Sequence, residues 1–389
     1  MNIKIHRGTK QIGGCITEIF TEKTRIFIDM GAELPDENCL PKDIDIDGVT
    51  KGIKKCDAVF FTHYHGDHLG LYKKILPDVP VYIGETAKEI FIKLSERIDK
   101  LSLPIINRFL TFHALQRVII GDMTVIPFLI DHSAYDAYMF LIEAGGKKIL
   151  HTGDFRLHGF RGSKTINMLK QYVGQVDVVI TEGTVLSRGN EKMDSERELQ
   201  MKARPIMKDK KYVFVLCAST NIDRIAAFYQ TNPAGRYFLC DHYQKEILDI
   251  VSKTGGARSP LYSFTKAKTY GENLEERFQT QGFCMLIRAT PYFKEIMARY
   301  ESEKSVIIYS MWKGYLGNKP IADILNGVDY EYIHTSGHAT KEAIKTVCEA
   351  VSPSQAIIPI HSENPEEIRN LNISYPIIIL KDKEIFKMR

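Results

Sequence analysis

VFFTHYHGDHLG, residues Val59–Gly70, decides how the rest of this chain is read. From Asp57 to Phe61 the residues are mostly apolar, β-branched or aromatic, a pattern that predicts a short buried strand. His63, His65, Asp67 and His68 follow, four metal-competent side chains within six positions. On extended backbone, residues two apart point the same way, so His63 and His65 can grip one ion. Gly66 lets the chain turn, which aims Asp67 and His68 at a neighbouring ion. Imidazole and carboxylate without thiolate suit zinc or manganese holding a reactive water more than a closed structural site. The plain alternative is a run of loop histidines, and the spacing T-H-x-H-x-D-H argues against it.

At 389 residues the chain predicts two domains, with a hydrophobic content of 44% that permits full cores. No apolar run reaches the ~20 residues of a membrane span, and the opening MNIKIHRGTK is not a secretory signal. The seven cysteines (15, 39, 56, 217, 240, 284 and 348) are scattered and form no CxxC pair. They predict reduced thiols and a cytoplasmic location. The net charge of +4 does not by itself argue for nucleic acid, but its distribution is uneven. Residues 196–327 hold 20 Lys+Arg against 14 Asp+Glu, and the remainder holds 32 against 34.

In chain order, Asn2–His6 and Cys15–Phe20 predict two strands joined by a tight hairpin at Gly13-Gly14. Thr24–Ile28 ends in Asp29, which either caps a turn or orients a metal-binding histidine. Asp36–Gly52 is a polar connection. A helix is expected over Leu69–Leu76, a strand over Val79–Ile83 and a helix over Glu85–Lys100, with Pro104 limiting continuation. Strand pairs over 118–127 and 138–150 lead to His132 and to His151-Thr152-Gly153-Asp154. His132 offers a third nitrogen for one ion, and Asp154 a carboxylate able to bridge two. Val176–Ile180 is a strand ending at Glu182, which reads equally as a turn residue or a functional one. After a linker at Ser187–Asp194, helices and apolar strands alternate, which predicts a doubly wound parallel sheet. Gly255–Gly271 reads as a polar surface excursion. The last segment returns to the first pattern: a strand over Tyr330–Ile333, His338, a helix over Lys341–Ala350, a strand ending at His361, and a closing hairpin across Lys381-Asp382-Lys383.

Taken in order, Asp29, the His63–His68 cluster, His132, Asp154, Glu182, His338 in S-G-H-A and His361 in I-P-I-H resemble the β-CASP nucleases. These are the branch of the metallo-β-lactamase fold that processes nucleic acids, and the chain is most similar to their ribonuclease J group. The resemblance implies an α/β architecture: a metallo-β-lactamase αββα sandwich interrupted by a Rossmann-like parallel β-CASP domain. Its parts are expected at 1–195, 196–327 and 328–389, with substrate held between the two domains. It implies two divalent metal ions, zinc with manganese as the alternative. His63, His65 and His132 hold one, Asp67, His68 and His361 the other, and Asp154 bridges them. Asp29 supports the ligands, His338 is the general acid that protonates the leaving oxygen, and Glu182 orients it. Asp67 is counted with Glu182 and His338 among the catalytic residues. A histidine at 361 goes with RNA-acting members. The implied function is a metal-dependent ribonuclease hydrolysing RNA phosphodiesters, a 5′-to-3′ exonuclease with some endonuclease activity. Ser362 departs from the glycine usual in that group. Relatives also carry a C-terminal domain that this chain lacks after His361, which leaves assembly through it, and homo-oligomer formation, open.

The expected partner is single-stranded RNA. Candidate contacts are Ser219, Thr220 and Asn221, where an ordinary helix cap is the equal alternative, and Ser336 and Gly337 beside His338. Trp312, among Lys313 and Tyr315, suits either base stacking or core packing. His6, His113, His158 and His242, and also His151 and His334, read as structural or surface residues. Two rival functions remain: hydrolysis of a small ester, thioester or lactone, and an inactive RNA-binding subunit. Glu182, His338 and the basic insertion argue against the first, and the filled motif positions against the second.

Overall fold

A computed structural model of the chain describes residues 1–34, 44–189, 193–271 and 274–389. The expected connection at Asp36–Gly52 and linker at Ser187–Asp194 fall partly outside the described residues, and Cys39 wholly so. The first part of the chain supplies strands β1 (Asn2–Arg7), β2 (Ile16–Phe20), β3 (Arg25–Ile28), β4 (Ala58–Phe60), β5 (Val81–Gly84), β6 (Leu110–Phe112), β7 (Val118–Ile120), β8 (Met123–Ile130), β9 (Ala137–Ala144), β10 (Lys147–His151) and β11 (Val178–Glu182). The middle supplies β12 (Tyr212–Leu216), β13 (Tyr237–Cys240), β14 (Ala267–Thr269), β15 (Phe283–Ile287), β16 (Ser305–Tyr309) and β17 (Tyr330–Tyr332), and the last part β18 (Ala356–Ile360) and β19 (Ile385–Lys387). Contacts divide the chain into two units, one of Met1–Leu157, Arg161–Glu191 and Gly337–Arg389, the other of His158–Phe160 and Lys192–Ser336.

The first unit holds two sheets, ordered β19-β1-β2-β3-β4-β5-β6 and β18-β11-β10-β9-β8-β7. Their facing sides share one core, in which Ile5, Ile26, Phe60 and Phe112 of the first sheet meet Phe140, Ile149, Ile180 and Ile358 of the second. The outer face of the second sheet packs Leu150, Val179 and Ile357 against Ile344, Val347 and Val351 of the helix Lys341–Val351. The helix Glu85–Ile98 buries Ala87, Ile90 and Phe91 beside β5. The result is the expected αββα sandwich. Strands β4 and β11 are buried along their whole length, which is why they read as continuous apolar runs rather than alternating ones.

The second unit is one sheet, β14-β13-β15-β12-β16-β17, with every neighbouring pair parallel. Helix starts are written in the sequence. Ser195 and Glu198 form a reciprocal capping box, as do Asp241 and Gln244. Inside this unit the guanidinium of Arg224, fully buried, forks onto Glu196 at 3.1 Å from two nitrogens and also donates to Ser310 and the Thr335 carbonyl.

Several sequence expectations need correction. Tyr330–Tyr332 pairs with β16, so it belongs to the inserted sheet, and the return to the first unit comes at Gly337 rather than 328. Gly255–Gly271 is no polar excursion: Tyr262, Phe264, Ala267 and Tyr270 are buried and the segment supplies edge strand β14. The closing hairpin does not form. β19 pairs antiparallel with β1, and Ile377 bridges to Ile357. Helix formation near the cluster starts earlier than Leu69, at Gly66–Leu69, followed by a separate 3-10 turn at Tyr72–Lys74. The link between β1 and β2 is a loop from Gly8 to Cys15, not a tight turn.

Candidate metal centre

The site is built where strands of the first unit end. Past β4 the chain reaches His63 and His65, and the short helix Gly66–Leu69 then carries Asp67 and His68. This loop is tied to the loops after β1 and β3: Cys15 N–H donates to Asp67 O at 3.1 Å, Met30 N–H to His68 O at 2.8 Å and Ala32 N–H to Gly66 O at 3.0 Å. Gly31 allows the approach, because a Cβ there would lie 1.8 Å from the Asp67 carbonyl oxygen. His132 follows β8, Asp154 follows β10, Glu182 ends β11, and His361 follows β18 in a left-handed conformation with φ 53°.

These side chains converge. The donor atoms of His63, His65 and His132 lie within 4.8 Å of one another, and so do those of Asp67, His68, Asp154 and His361. Asp154 Oδ2 stands 3.2 Å from His68 Nε2, 3.4 Å from His338 Nδ1, 3.8 Å from His361 Nε2 and 4.0 Å from His132 Nε2. His361 Nε2 is 3.1 Å from Asp67 Oδ2, and His65 presents Nδ1 to His132 Nε2 at 3.3 Å.

A second layer turns each imidazole. His68 Nδ1 donates to Asp29 Oδ2 at 2.7 Å, His63 Nδ1 to Thr62 Oγ1 at 3.0 Å, His132 Nδ1 to the Gly337 carbonyl at 2.7 Å and His361 Nδ1 to Thr184 Oγ1 at 2.8 Å. With Nδ1 engaged in each ring, Nε2 is the nitrogen left facing inward; on His68, whose pKa is raised, an ion would displace the proton held there. Asp29 also accepts from Thr62 N–H at 2.8 Å, so of its two sequence readings the structure shows the histidine-orienting one. Thr62 heads the T-H-x-H-x-D-H spacing but has no role that the spacing assigns, and no motif marks the hydroxyl of Thr184. The Asp131–Arg156 pair behind His132, at 2.7 Å and fully buried, was also missed, although Asp131 adjoins His132 in the chain. Cys15 was read as an apolar strand residue and proves to neighbour His68 and His361; burial holds its thiol well above the usual range.

The charge states suit ion binding. Burial pulls His63 and His132 well below the ordinary imidazole range and His65 to about 4, so all three are neutral. Burial acts against the Asp67 and Asp154 anions, but the surrounding imidazoles outweigh it and hold both carboxyls below their usual range. Burial also opposes charge on His68, yet Asp154, Asp29 and Asp67 together raise it. Buried polar atoms normally find partners. Here His63 Nε2 and Asp154 Oδ1 have no hydrogen bond among the described residues. Neutral imidazoles, ionised carboxylates and unpaired inward atoms are the donor set of a divalent metal centre, and these clusters are able to hold metal ions.

Glu182 links three segments. Its Oε1 accepts from Phe155 N–H at 2.8 Å and Ala339 N–H at 3.2 Å, and its Oε2 accepts from His338 Nδ1 at 3.1 Å. Burial disfavours the His338 imidazolium, but Glu182 and then Asp154 overcome it and push the ring up to about 9. Among the candidate substrate contacts, Asn221 caps the helix Ile222–Thr231 by accepting from Arg224 N–H at 3.2 Å, and Ser219 Oγ accepts from Gln244 at 3.3 Å. The Ser336 carbonyl meets His158 Nε2 at 2.9 Å, and the Gly337 carbonyl holds His132 as above. Of the histidines read as structural, His151 is buried between Thr17 and the Gly153 amide, and His6 bonds Glu18 at 2.5 Å. His334 lies 3.1 Å from Arg224.

Residues 24–209 match the β-lactamase superfamily domain. The chain is 23% identical over 387 residues to the ribonuclease J of Helicobacter pylori, covering 92% of this chain and 55% of that protein. It is 29% identical over 195 residues to an RNase J-like protein of Methanocaldococcus jannaschii, covering 47% and 42%. The chain thus spans about half the length of the curated relatives it matches. A crystal structure of a protein of unknown function from Enterococcus faecalis superposes with a TM-score of 0.78 at 21% identity, covering 99% of both chains. The fold is the metallo-β-lactamase sandwich with an inserted α/β domain. Among the described residues no helix is long and apolar enough to cross a membrane.

Proposed function

We propose that this metallo-β-lactamase-fold chain is a two-metal-ion ribonuclease that hydrolyses phosphodiester bonds of single-stranded RNA. The observation that carries the reading is the Asp154 carboxylate oxygen within 4.0 Å of four imidazoles, His132 from one ligand group and His68 and His361 from the other, with the Glu182–His338 pair alongside. His63, His65 and His132 would hold one ion and Asp67, His68 and His361 the other, with the Asp154 carboxylate available to both. When bound, such a pair of divalent ions lowers the pKa of water and neutralises charge on a phosphodiester.

The remaining work falls to the chain's own groups. Glu182 accepts a hydrogen bond from Nδ1–H of His338, which stabilises the cationic ring and leaves the Nε2 proton as the transferable one. A cationic His338 donates that proton to the oxygen leaving phosphorus. Without it the departing alkoxide must leave as a strong base. A thioester hydrolase has no need of this arrangement, because a thiolate departs without such an acid. The likeness to proteins named ribonuclease J supports RNA as the substrate, and the surplus of six positive charges in residues 196–327 supports a polyanion. We assign the activity as 5′-to-3′ exonuclease with some endonuclease activity, zinc as the metal with manganese as alternative, and a cytoplasmic setting.

The test is incubation of the chain with RNA labelled on the base of its first nucleotide and bearing a 5′ monophosphate, triphosphate or hydroxyl end, with zinc or manganese supplied. Release of labelled mononucleotide first, fastest from the monophosphate end, is the expected result, with RNA cut faster than DNA of the same sequence. Equal degradation of all three ends removes the 5′ exonuclease assignment. Faster cutting of DNA, or no cutting with either metal, refutes the ribonuclease reading.

A further inference from the structure

Single exposed aromatic residues are ordinary, but a gathered set is not. Trp312, Tyr315, Tyr330 and Tyr332 are 50, 46, 39 and 38% exposed, all within the second unit. Tyr330 and Tyr332 occupy alternate positions on β17, the edge strand of the sheet, and therefore share a face. Both rings stand against the buried ring of Tyr309, with centroids 5.8 and 6.0 Å away. Glu331, between them, projects to the opposite face. The Lys313 ammonium lies 4.6 Å from the centre of the Tyr332 ring, and the His334 ring continues the row at 6.0 Å.

Trp312 is the only tryptophan in the chain, and the backbone fixes its place. A Cβ at Gly314 would fall 2.2–2.5 Å from three carbons of the indole, so the ring lies against that glycine. The Trp312 carbonyl accepts from Tyr309 Oη at 2.9 Å. Tyr315 meets the indole edge-on, with ring planes at 90° and centroids 5.5 Å apart. These are broad π faces held in position at the surface, joined by one ammonium group. That pairing matches a base, which offers a π face whatever its identity, followed by a phosphate.

We propose that Trp312, Tyr315, Tyr330 and Tyr332 form a stacking platform for the bases of a single-stranded polynucleotide, with Lys313 meeting the intervening phosphate. The proposal rests on the nuclease reading for its ligand but uses none of the metal-binding residues. As the only tryptophan, Trp312 makes its own emission a report of stacking.

The experiment uses the full chain stripped of metal by a chelator, so that no strand is cut. The probe is an end-labelled oligoadenylate RNA of about 12 nucleotides, within the reach of one single-strand site. Trp312 emission should be quenched along the same binding curve that the label's anisotropy traces. A fully paired RNA hairpin should leave the emission unchanged. Trp312→Ala, and independently Tyr332→Ala followed through the remaining tryptophan, should each weaken binding by roughly 5- to 150-fold, the worth of one stacked base, and Trp312→Phe should restore most of it. RNA that binds without altering the emission, and binds Trp312→Ala as tightly, overturns the platform and leaves the nuclease reading standing. An intact chain that binds no RNA overturns both. Sedimentation showing that the wild type self-associates while Trp312→Ala stays monomeric assigns the patch to a second copy of the chain and also overturns the proposal.

Discussion

Replacing Asp29 with asparagine tests the ligand-orienting layer while sparing the backbone. Asp29 adopts φ 63°, a left-handed conformation that asparagine tolerates as well as any side chain except glycine. The new amide can keep its oxygen on the Thr62 N–H, where Asp29 now accepts at 2.8 Å. Its NH₂ then faces His68 Nδ1, where a carboxylate oxygen now accepts at 2.7 Å. Two donors cannot share that contact, so the imidazole proton moves to Nε2, the atom 3.2 Å from Asp154 Oδ2. A protonated Nε2 has no lone pair for an ion. Binding then requires the ring to give up a charge-assisted hydrogen bond of about 1.5–3 kcal/mol, equivalent to roughly 10- to 150-fold in affinity, in line with the ~10–100-fold usual for such supporting groups. A zinc titration against a competing chelator should show two steps in the wild type. Asp29→Asn should weaken the step assigned to Asp67, His68 and His361 by that factor and leave the His63–His65–His132 step in place. Two unchanged steps, or a loss confined to the three-histidine step, would refute the reasoning.

Other outcomes are equally specific. His338→Ala should retain both ions by elemental analysis yet lose roughly 10²–10⁴-fold in rate, with a smaller loss on an aryl phosphodiester whose leaving group needs no proton; equal losses on both substrates reject the general-acid role. Glu18 is buried, which raises its carboxyl, but His6 and Arg25 outweigh burial and lower it from 4.5 to about 2. A depressed folded pKa adds stability above the unfolded value and loses it as pH falls through the folded one. Denaturant midpoints should therefore drop between about pH 4.5 and pH 2 in the wild type, and more shallowly in Glu18→Gln, which starts lower at pH 7; parallel curves refute the pairing. Arg224→Met strands the buried Glu196 carboxylate and should cost about 3–5 kcal/mol by urea unfolding, with part recovered on adding Glu196→Gln; no recovery would mean that packing, not charge, dominates.

Much of the candidate centre was legible because its donors are short, chemically distinctive side chains placed directly after apolar strands. His63, His65, His132, Asp154 and His361 could each be placed from a strand pattern and the residue that follows it. The supporting layer was harder to see. Thr62 and Thr184 act through a hydroxyl whose partner is 1 or 177 residues away, and threonine is too common after a strand to signal anything. Errors in the fold came where a local pattern met a long-range preference. Glu384–Met388 has hairpin-like neighbours, yet β19 finds a better edge on β1, more than 380 residues away in register. Tyr330–Tyr332 has the same apolar-aromatic look in either unit, and only its parallel pairing with β16 assigns it. At Ser219–Asn221 the cap was legible: Asn221 caps the helix Ile222–Thr231.

The first unit is interrupted, and that has a consequence for a chain made from its amino end. Ribosomal synthesis delivers His63 through Asp154 early, then the whole of residues 192–336, and only afterwards His338 and His361. Until β18 emerges, β11 lacks one of its two parallel neighbours and the second cluster lacks the nitrogen of His361. A half-made chain therefore carries an incomplete metal cluster. Under the proposed function, hydrolysis would then be withheld from the nascent polypeptide, and from the message still threaded through the machine that is making it.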